Sequence, residues 1–305
     1  MPGKTPLLTI SDVLRAASRN LQPKRITCSA DKNLGQLEAE LLLSHVLKKE
    51  RTWLFAHDDE VLSKTSLGRF KELVVRRLKH EPIAYLTGVR DFYGLEFHVT
   101  KSTLIPRSES EMLVDLVREK LFPEPSLTDL VWDVGTGSGA LAISIASTIH
   151  PRNVIASDIS SKALATAKQN AKTLNVKNVT FLKADLLDAT ARRMFEKHRN
   201  ARLVIVANLP YLPTSDKKKL TPDVVKFEPS SALFVGKDGT ELIEKLLRQL
   251  ATYDIHFSSA FFEFDPPQAK KLRMLVKKLF PKATVKIHKD LAKRERVLEI
   301  STRKA

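Results

Sequence analysis

From residue 128 onward the chain alternates between short β-branched runs and stretches of helical period: "LVWDV", a helix from Gly139, "NVIASD", a helix from Ser160, "VTFLKAD", a helix to about His198, then "LVIVANLPY". Strands separated by helix-length segments cannot pair as hairpins, so this order predicts a parallel sheet with helices on both faces. A helix near 238–253, the strand "SSAFFEF" and a helix from Pro266 to about Phe280 follow. Two closing strands, "ATVKIHK" and "ERVLEIS", then form an antiparallel pair. The expected result is a seven-stranded, Rossmann-like α/β domain.

Before residue 85 the periodicity is helical throughout. Val13, Leu14, Ala17 and Leu21 share a face behind Asp12, as do Leu37, Leu41 and Val46, and Leu67, Phe70, Val74 and Leu78, so a small helical bundle is expected. Between residues 88 and 105 two aromatic and β-branched runs break at Gly94-Leu95, the pattern of a hairpin. Three segments follow: a helical domain over 1–85, a β-hairpin linker over 86–105 and an α/β domain over 106–305. With 305 residues, 43% of them hydrophobic, the chain has enough material for two cores.

Composition excludes several classes. No apolar run reaches the roughly 20 residues of a membrane helix, and the first 20 residues lack the apolar stretch and small-residue cleavage site of a secretory signal. A cytoplasmic protein is therefore expected. A lone Cys28 allows neither an internal disulfide nor a cysteine-cluster metal site. The net charge of +16 divides between residues 1–85 (15 Lys+Arg against 10 Asp+Glu) and 86–305 (36 against 25). Its runs (Lys217–Lys219, Lys277–Lys278, Arg192–Arg193) are short enough to be solvated faces, and direct nucleic-acid binding is not expected.

The chemistry concentrates at strand ends. In "DVGTGSGALAIS" the first strand turns into the first helix through Gly135, Thr136, Gly137, Ser138 and Gly139, where glycines let a ligand approach the backbone and the helix N-terminus offers free N–H groups. Glycines also serve a tight turn with no ligand, but three acidic strand ends accompany these. Asp133 precedes the loop, Asp158 ends the second strand where a carboxylate takes ribose hydroxyls, and Asp185 with Leu186 ends the third. The Gly-x-Gly-x-Gly spacing is not the dinucleotide one, and Asp133 would repel a pyrophosphate while suiting an ammonium. A cationic, phosphate-free nucleoside fits, and S-adenosylmethionine is that ligand.

The fourth strand stops abruptly at "ANLPY". In an open α/β sheet ligands sit beyond the carboxyl ends of the strands, so Asn208, Leu209, Pro210 and Tyr211 project beside the methyl group to be transferred. The Asn208 side-chain carbonyl and the backbone carbonyl of Leu209 can hold both hydrogens of a planar –NH₂, aiming its nitrogen at the methyl carbon. Pro210 fixes the turn and Tyr211 supplies a ring face.

In "EPIAYLTGVRDFYGLEFHV", "TLIPRSESE", "DVGTGSGALAIS", "ANLPY", "KFEPSSALFVGKDG" and "RVLEI" the chain resembles the HemK-type protein-(glutamine-N(5)) methyltransferases, which modify peptide-chain release factors. The resemblance implies a class I S-adenosylmethionine-dependent methyltransferase domain behind an N-terminal domain that recognises substrate. It also implies cofactor binding by residues 135–139 and Asp158, contact of Asn208 with both cofactor and substrate, and a target glutamine held by residues 208–211. The partner would be a class I release factor, and the enzyme a monomer. Leu209 stands where most relatives have proline, and Ser108 where many have proline, near Arg107, Glu109 and Glu111. The rival reading is a methyltransferase for an exocyclic amine of adenine or cytosine in RNA or DNA, whose –NH₂ presents the same donor pair. His45 and His80 are read as packing or surface residues, while Glu263 and Asp265 at the end of "FFEFD" either border the pocket or are solvated strand ends, and neither is assigned a role.

Overall fold

The computed structural model describes residues 8–22, 33–121, 129–151 and 153–302; Cys28 lies outside them. The chain divides into two compact units, Met1–Gly88 with Pro222–Phe227, and Val89–Thr221 with Glu228–Ala305.

In the first unit, α1 (Ile10–Leu21), α2 (Leu34–Leu47), α3 (Arg51–Ala56), α4 (Lys64–Leu78) and α5 (Ile83–Thr87) enclose a core of Ile10, Val13, Leu42, Leu43, Leu54, Phe70 and Val74. Helix α1 begins two residues before Asp12, because Thr9 and Asp12 bond each other's backbone N–H as a capping box. In α2 the buried face is Ala39, Leu42 and Leu43, while Leu37 is 37% exposed. The helix is apolar almost all round, so its sequence does not single out one stripe. Glu38 and Glu40 are also buried there, held by the forked guanidiniums of Arg77 (2.7 and 2.9 Å) and Arg51 (2.5 and 3.1 Å). Leu78, placed on the α4 core face by its spacing, is 47% exposed in the last turn.

The second unit opens with the hairpin β1 (Val89–Phe92) and β2 (Leu95–His98), whose two-residue turn has φ of 51° at Tyr93 and 74° at Gly94. Its left-handed Tyr93 is fastened by donating its N–H to Glu111 (2.9 Å) and its hydroxyl to Asp115 (2.8 Å). Phe92 and Phe97 are fully buried in the core of this unit. Next come α6 (Glu111–Leu121), β3 (Asp129–Val134), α7 (Ala140–Thr148), β4 (Asn153–Asp158), α8 (Ser161–Thr173), β5 (Val179–Lys183), α9 (Ala189–Glu196) and β6 (Arg202–Ala207). Helix α10 (Pro222–Phe227) belongs to the first unit; α11 (Glu241–Thr252), β7 (Ser259–Glu263), α12 (Ala269–Leu279), β8 (Thr284–Lys289) and β9 (Glu295–Ser301) complete the second. Helix α6 was not anticipated from the sequence, although Leu113, Val114, Leu116, Val117 and Leu121 fall at helical spacing and are all buried.

The seven strands lie in the order β5-β4-β3-β6-β7-β9-β8, parallel from β5 to β7 and antiparallel in the last two pairings. Every residue of β3 is buried, since helices cover both faces of the central strands. Leu130, Trp132, Val134, Ile205 and Phe262 pack on one side against α11 and α12, and Val131, Val204, Val206 and Phe261 on the other against α6 and α7. Each such side chain contributes about 1.5–3 kcal/mol relative to exposure. The strand order reverses between β3 and its neighbours β4 and β6, which opens a crevice beyond their carboxyl ends. Both the glycine loop after β3 and the tip after β6 emerge there.

Candidate active site

A cavity of about 360 Å³ fills that crevice. Of the residues singled out from the sequence, Gly135, Thr136, Gly137, Ser138, Asp158, Asp185, Leu186, Asn208, Leu209 and Pro210 line it; Asp133, Gly139 and Tyr211 do not. Phe92, Leu104, Leu141 and Leu242 add an apolar side, with Ile159 left 65% exposed beside Asp158.

The loop is held open by left-handed backbone. Gly135, Gly137 and Gly139 have φ of 80°, 57° and 83°. A Cβ on Gly135 would come 2.8 Å from Leu209 Cδ2, so the glycine loop and the β6 tip meet at a spacing only glycine permits, whereas a Cβ on Gly137 would meet nothing. Asp133 lies beneath the loop and is completely buried, because β3 is covered on both faces. Its Oδ2 accepts from Thr136 Oγ1 (2.6 Å) and the Ala142 N–H (3.2 Å), bracing the loop against the first turn of α7, while Oδ1 has no partner. Burial dominates these bonds and pushes its pKa up to about 7, with the Asp158 charge adding to the shift.

Asp158 also participates in building the loop. Oδ2 accepts from the Gly137 N–H (2.9 Å) and Oδ1 from the Ser160 N–H (2.8 Å), and burial raises its pKa against the pull of these donors. Each oxygen keeps a lone pair for a further donor. Asp185 pairs with Lys245 across 2.8 Å on a half-exposed rim, and Leu186 takes φ of 52°. A glycine cradle and a cavity-lining carboxylate suit a ligand with a diol, as S-adenosylmethionine has, and the carboxyl of Asp133 beneath the cradle favours a cationic group above it. No group of His, Cys, Asp and Glu able to hold a metal occurs among the described residues.

At the β6 tip, Asn208 Nδ2 donates to Ser110 Oγ (2.8 Å), Ser110 Oγ donates to Glu263 Oε2 (2.6 Å), and the Tyr211 hydroxyl donates to Glu263 Oε1 (3.0 Å). Glu263 is 1% exposed, and burial raises its pKa. Of the two alternatives the sequence left open for Glu263, the solvated strand end is excluded: Glu263 is a buried acceptor of two hydroxyl protons beneath the tip. A glutamate within the apolar run "SSAFFEF" was its signal, since a charge in a strand covered on both faces requires partners. Tyr211 turns inward to Glu263, and burial raises the pKa of its hydroxyl. Its carbonyl is fixed by Gln268 Nε2 (2.6 Å), which also bonds the Asp238 carbonyl (3.1 Å).

The "IPRSESE" segment acquires distinct roles as well. Arg107 lines the cavity and pairs with buried Glu228 (2.5 Å), whose other oxygen takes the Ile105 N–H. Glu111 accepts from the hairpin turn, and Glu109 lies 3.8 Å from Arg294. None of these pairings joins residues close in sequence. His45 and His80 are not among the cavity-lining residues.

Residues 12–88 match the PrmC N-terminal domain family and residues 131–227 a methyltransferase domain family. A release factor glutamine methyltransferase of Rhodopirellula baltica is 36% identical over 271 residues, with 87% of this chain and 88% of that protein matched. The chain belongs to the release factor glutamine methyltransferase family. The corresponding protein of Coxiella burnetii is 35% identical, with 86% of this chain and 90% of that one covered. The chain spans about half the length of the Rickettsia bifunctional methyltransferases it also matches: 42% of that of Rickettsia conorii at 38% identity, and 54% of that of Rickettsia prowazekii at 35%. The hMettl16 catalytic domain, solved with the MAT2A 3′UTR hairpin 1, superposes with a TM-score of 0.55 over 80% of this chain and 83% of its own. At 14% identity this establishes the shared methyltransferase fold alone. The family's tip in this chain reads Asn-Leu-Pro-Tyr, with Leu209 3% exposed and packed against Gly135.

Proposed function

We propose that the protein transfers a methyl group from S-adenosylmethionine to the side-chain amide nitrogen of the glutamine in the Gly-Gly-Gln loop of a class I release factor. The observation that carries this reading is the orientation of Asn208. Its NH₂ is committed to Ser110, so its Oδ1, which has no partner among the described residues, is the end left for a ligand. With the carbonyl of Leu209 it forms a pair of acceptors matched to a planar –NH₂.

The cofactor supplies an electrophilic methyl on a positively charged sulfur. Holding it would fall to the glycine loop, whose backbone approaches closely, to Asp158 for the ribose diol and, from beneath the loop, to the charge of Asp133 for the ammonium. Fixing both amide hydrogens turns the substrate nitrogen's lone pair toward the methyl carbon. With the cofactor bound, the nitrogen–carbon bond would form as the carbon–sulfur bond broke to a neutral thioether, and the nitrogen's proton would pass to water. The PrmC-type N-terminal domain is assigned to a second part of the release factor, so that binding is divided between two sites and gains effective concentration.

The test is methyl transfer from labelled S-adenosylmethionine to three acceptors: an intact class I release factor, its isolated loop peptide and ribosomal RNA. Label on the loop glutamine of the intact factor, with much slower transfer to the peptide, is the expected result. Label on an adenine of RNA with none on glutamine would replace this reading with the nucleic-acid one.

A further inference from the structure

The amide of Asn208 has two ends of nearly equal shape, and only one of them is useful. If NH₂ rather than oxygen faced the cavity, it would point a donor at the donors of the substrate amide and repel it. Asn208 itself has no preference between the two, so something in the protein must choose. We propose that Ser110 and Glu263 form a positioning relay that fixes the Asn208 side chain with its oxygen toward the substrate.

The relay follows from counting protons. Glu263, reached through β7 and buried, can only accept when ionised, and it takes one proton from the Tyr211 hydroxyl and one from Ser110. Ser110 has a single hydroxyl proton. Having given it to Glu263 at 2.6 Å, it presents only lone pairs to Asn208, 2.8 Å away. Only the Nδ2 end of the amide can satisfy that, so Oδ1 is turned outward. Arg296 and Glu109 are the other charged groups acting on Glu263; the cation favours the ionised form and the anion opposes it. Ser110 is 3% exposed at the cavity wall and Glu263 1%, so the Ser110–Glu263 bond is shielded from bulk solvent. The three residues come from a segment preceding α6, from the end of β7 and from the end of β6, and the relay exists only in the folded domain.

This inference rests on the proposed function for the identity of the substrate, but its test does not. Ser110→Ala removes the acceptor for Asn208 and Glu263→Leu removes the acceptor for Ser110; the latter also leaves the Tyr211 hydroxyl without its acceptor, so its stability is expected to fall and Glu263→Gln serves as its control. Both should lower kcat at least tenfold while the affinity for S-adenosylmethionine stays within about twofold at a temperature where both variants remain folded, whereas Glu263→Gln, which retains a carbonyl for Ser110, should restore most of kcat. Independently of any substrate, the Asn208 side-chain NH₂ resonances of the protein bound to S-adenosylhomocysteine, assigned by their loss in Asn208→Ala, should exchange slowly with solvent in the wild type and at least tenfold faster in Ser110→Ala. Wild-type kcat in Ser110→Ala, or unchanged Asn208 protection, would overturn the relay. A wild-type enzyme that methylates no release factor would overturn the substrate reading while leaving the resonance measurement able to decide this one.

Discussion

Replacing Asp133 with asparagine should stabilise the cofactor-free protein at alkaline pH and make it a poorer binder. The wild-type carboxyl is fully buried with one oxygen unpartnered, and desolvation pushes its pKa from 3.8 to about 7. A carboxyl group whose folded-state pKa lies above its unfolded value holds its proton more tightly in the folded protein. Its favourable contribution is therefore present at low pH and lost as pH rises through about 7. The displacement corresponds to about 4 kcal/mol of penalty at high pH, of which roughly 2 kcal/mol develops between about pH 5.5 and pH 8. Asparagine keeps a carbonyl oxygen for Thr136 and Ala142 and does not ionise. In urea unfolding, the stability difference between variant and wild type should thus swing by roughly 2 kcal/mol over that interval, in favour of the variant at high pH. Calorimetry supplies the second half of the test, because a bound ammonium favours the ionised carboxylate. Wild-type affinity for S-adenosylmethionine should rise with pH through about 7, and that of the variant should not. A stability difference that is the same at both pH values would refute the reasoning, since Asp133 would then not titrate in this range.

Asp158→Ala should weaken S-adenosylmethionine binding about tenfold or more, because it removes charge-assisted acceptors worth about 1.5–3 kcal/mol each and frees the Gly137 N–H that braces the loop; an unchanged affinity in a calorimetric titration would take Asp158 out of the site. Gly239→Ala should destabilise the protein by more than the roughly 1–2 kcal/mol of left-handed strain, since φ there is 75° and the new Cβ would lie 2.2 Å from the Tyr211 carbonyl and 2.5 Å from Gln268 Nε2. Turnover should fall with it as the tip is displaced, and a wild-type melting temperature with wild-type kcat would show that Gln268 and Gly239 do not set the tip.

Much of the fold was legible because local signals agreed with one another. The strand "LVIVA" is apolar at every position and helices such as α11 and α12 carry one-sided stripes, so the alternation of the two implied a parallel sheet. Where local and tertiary demands differed, the reading was incomplete. The α2 helix is too uniformly apolar to show which face is buried, and Leu78 carries a core-like pattern to a helix end where it is 47% exposed. Long-range partners left weaker traces still. The glutamate within "SSAFFEF" carried a signal of burial that its position at a strand end masked, and nothing local indicated that Ser110 and Tyr211 would accompany it, 153 and 52 residues away.

By itself the sequence determined the glycine loop, the acidic strand ends and the Asn-Leu-Pro-Tyr tip, because each is a local device: φ values only glycine adopts freely, and side chains at strand ends that the period of 2 and the following helix place together. Only the tertiary structure decided what state those groups are in. Covering β3 on both faces withdraws Asp133 from solvent and leaves one of its oxygens unpaired, and the meeting of β6, β7 and the segment before α6 fixes which end of Asn208 faces the cavity. Desolvation and hydrogen-bond polarity depend on which atoms surround a group in space, and that is set by packing between segments far apart in the chain.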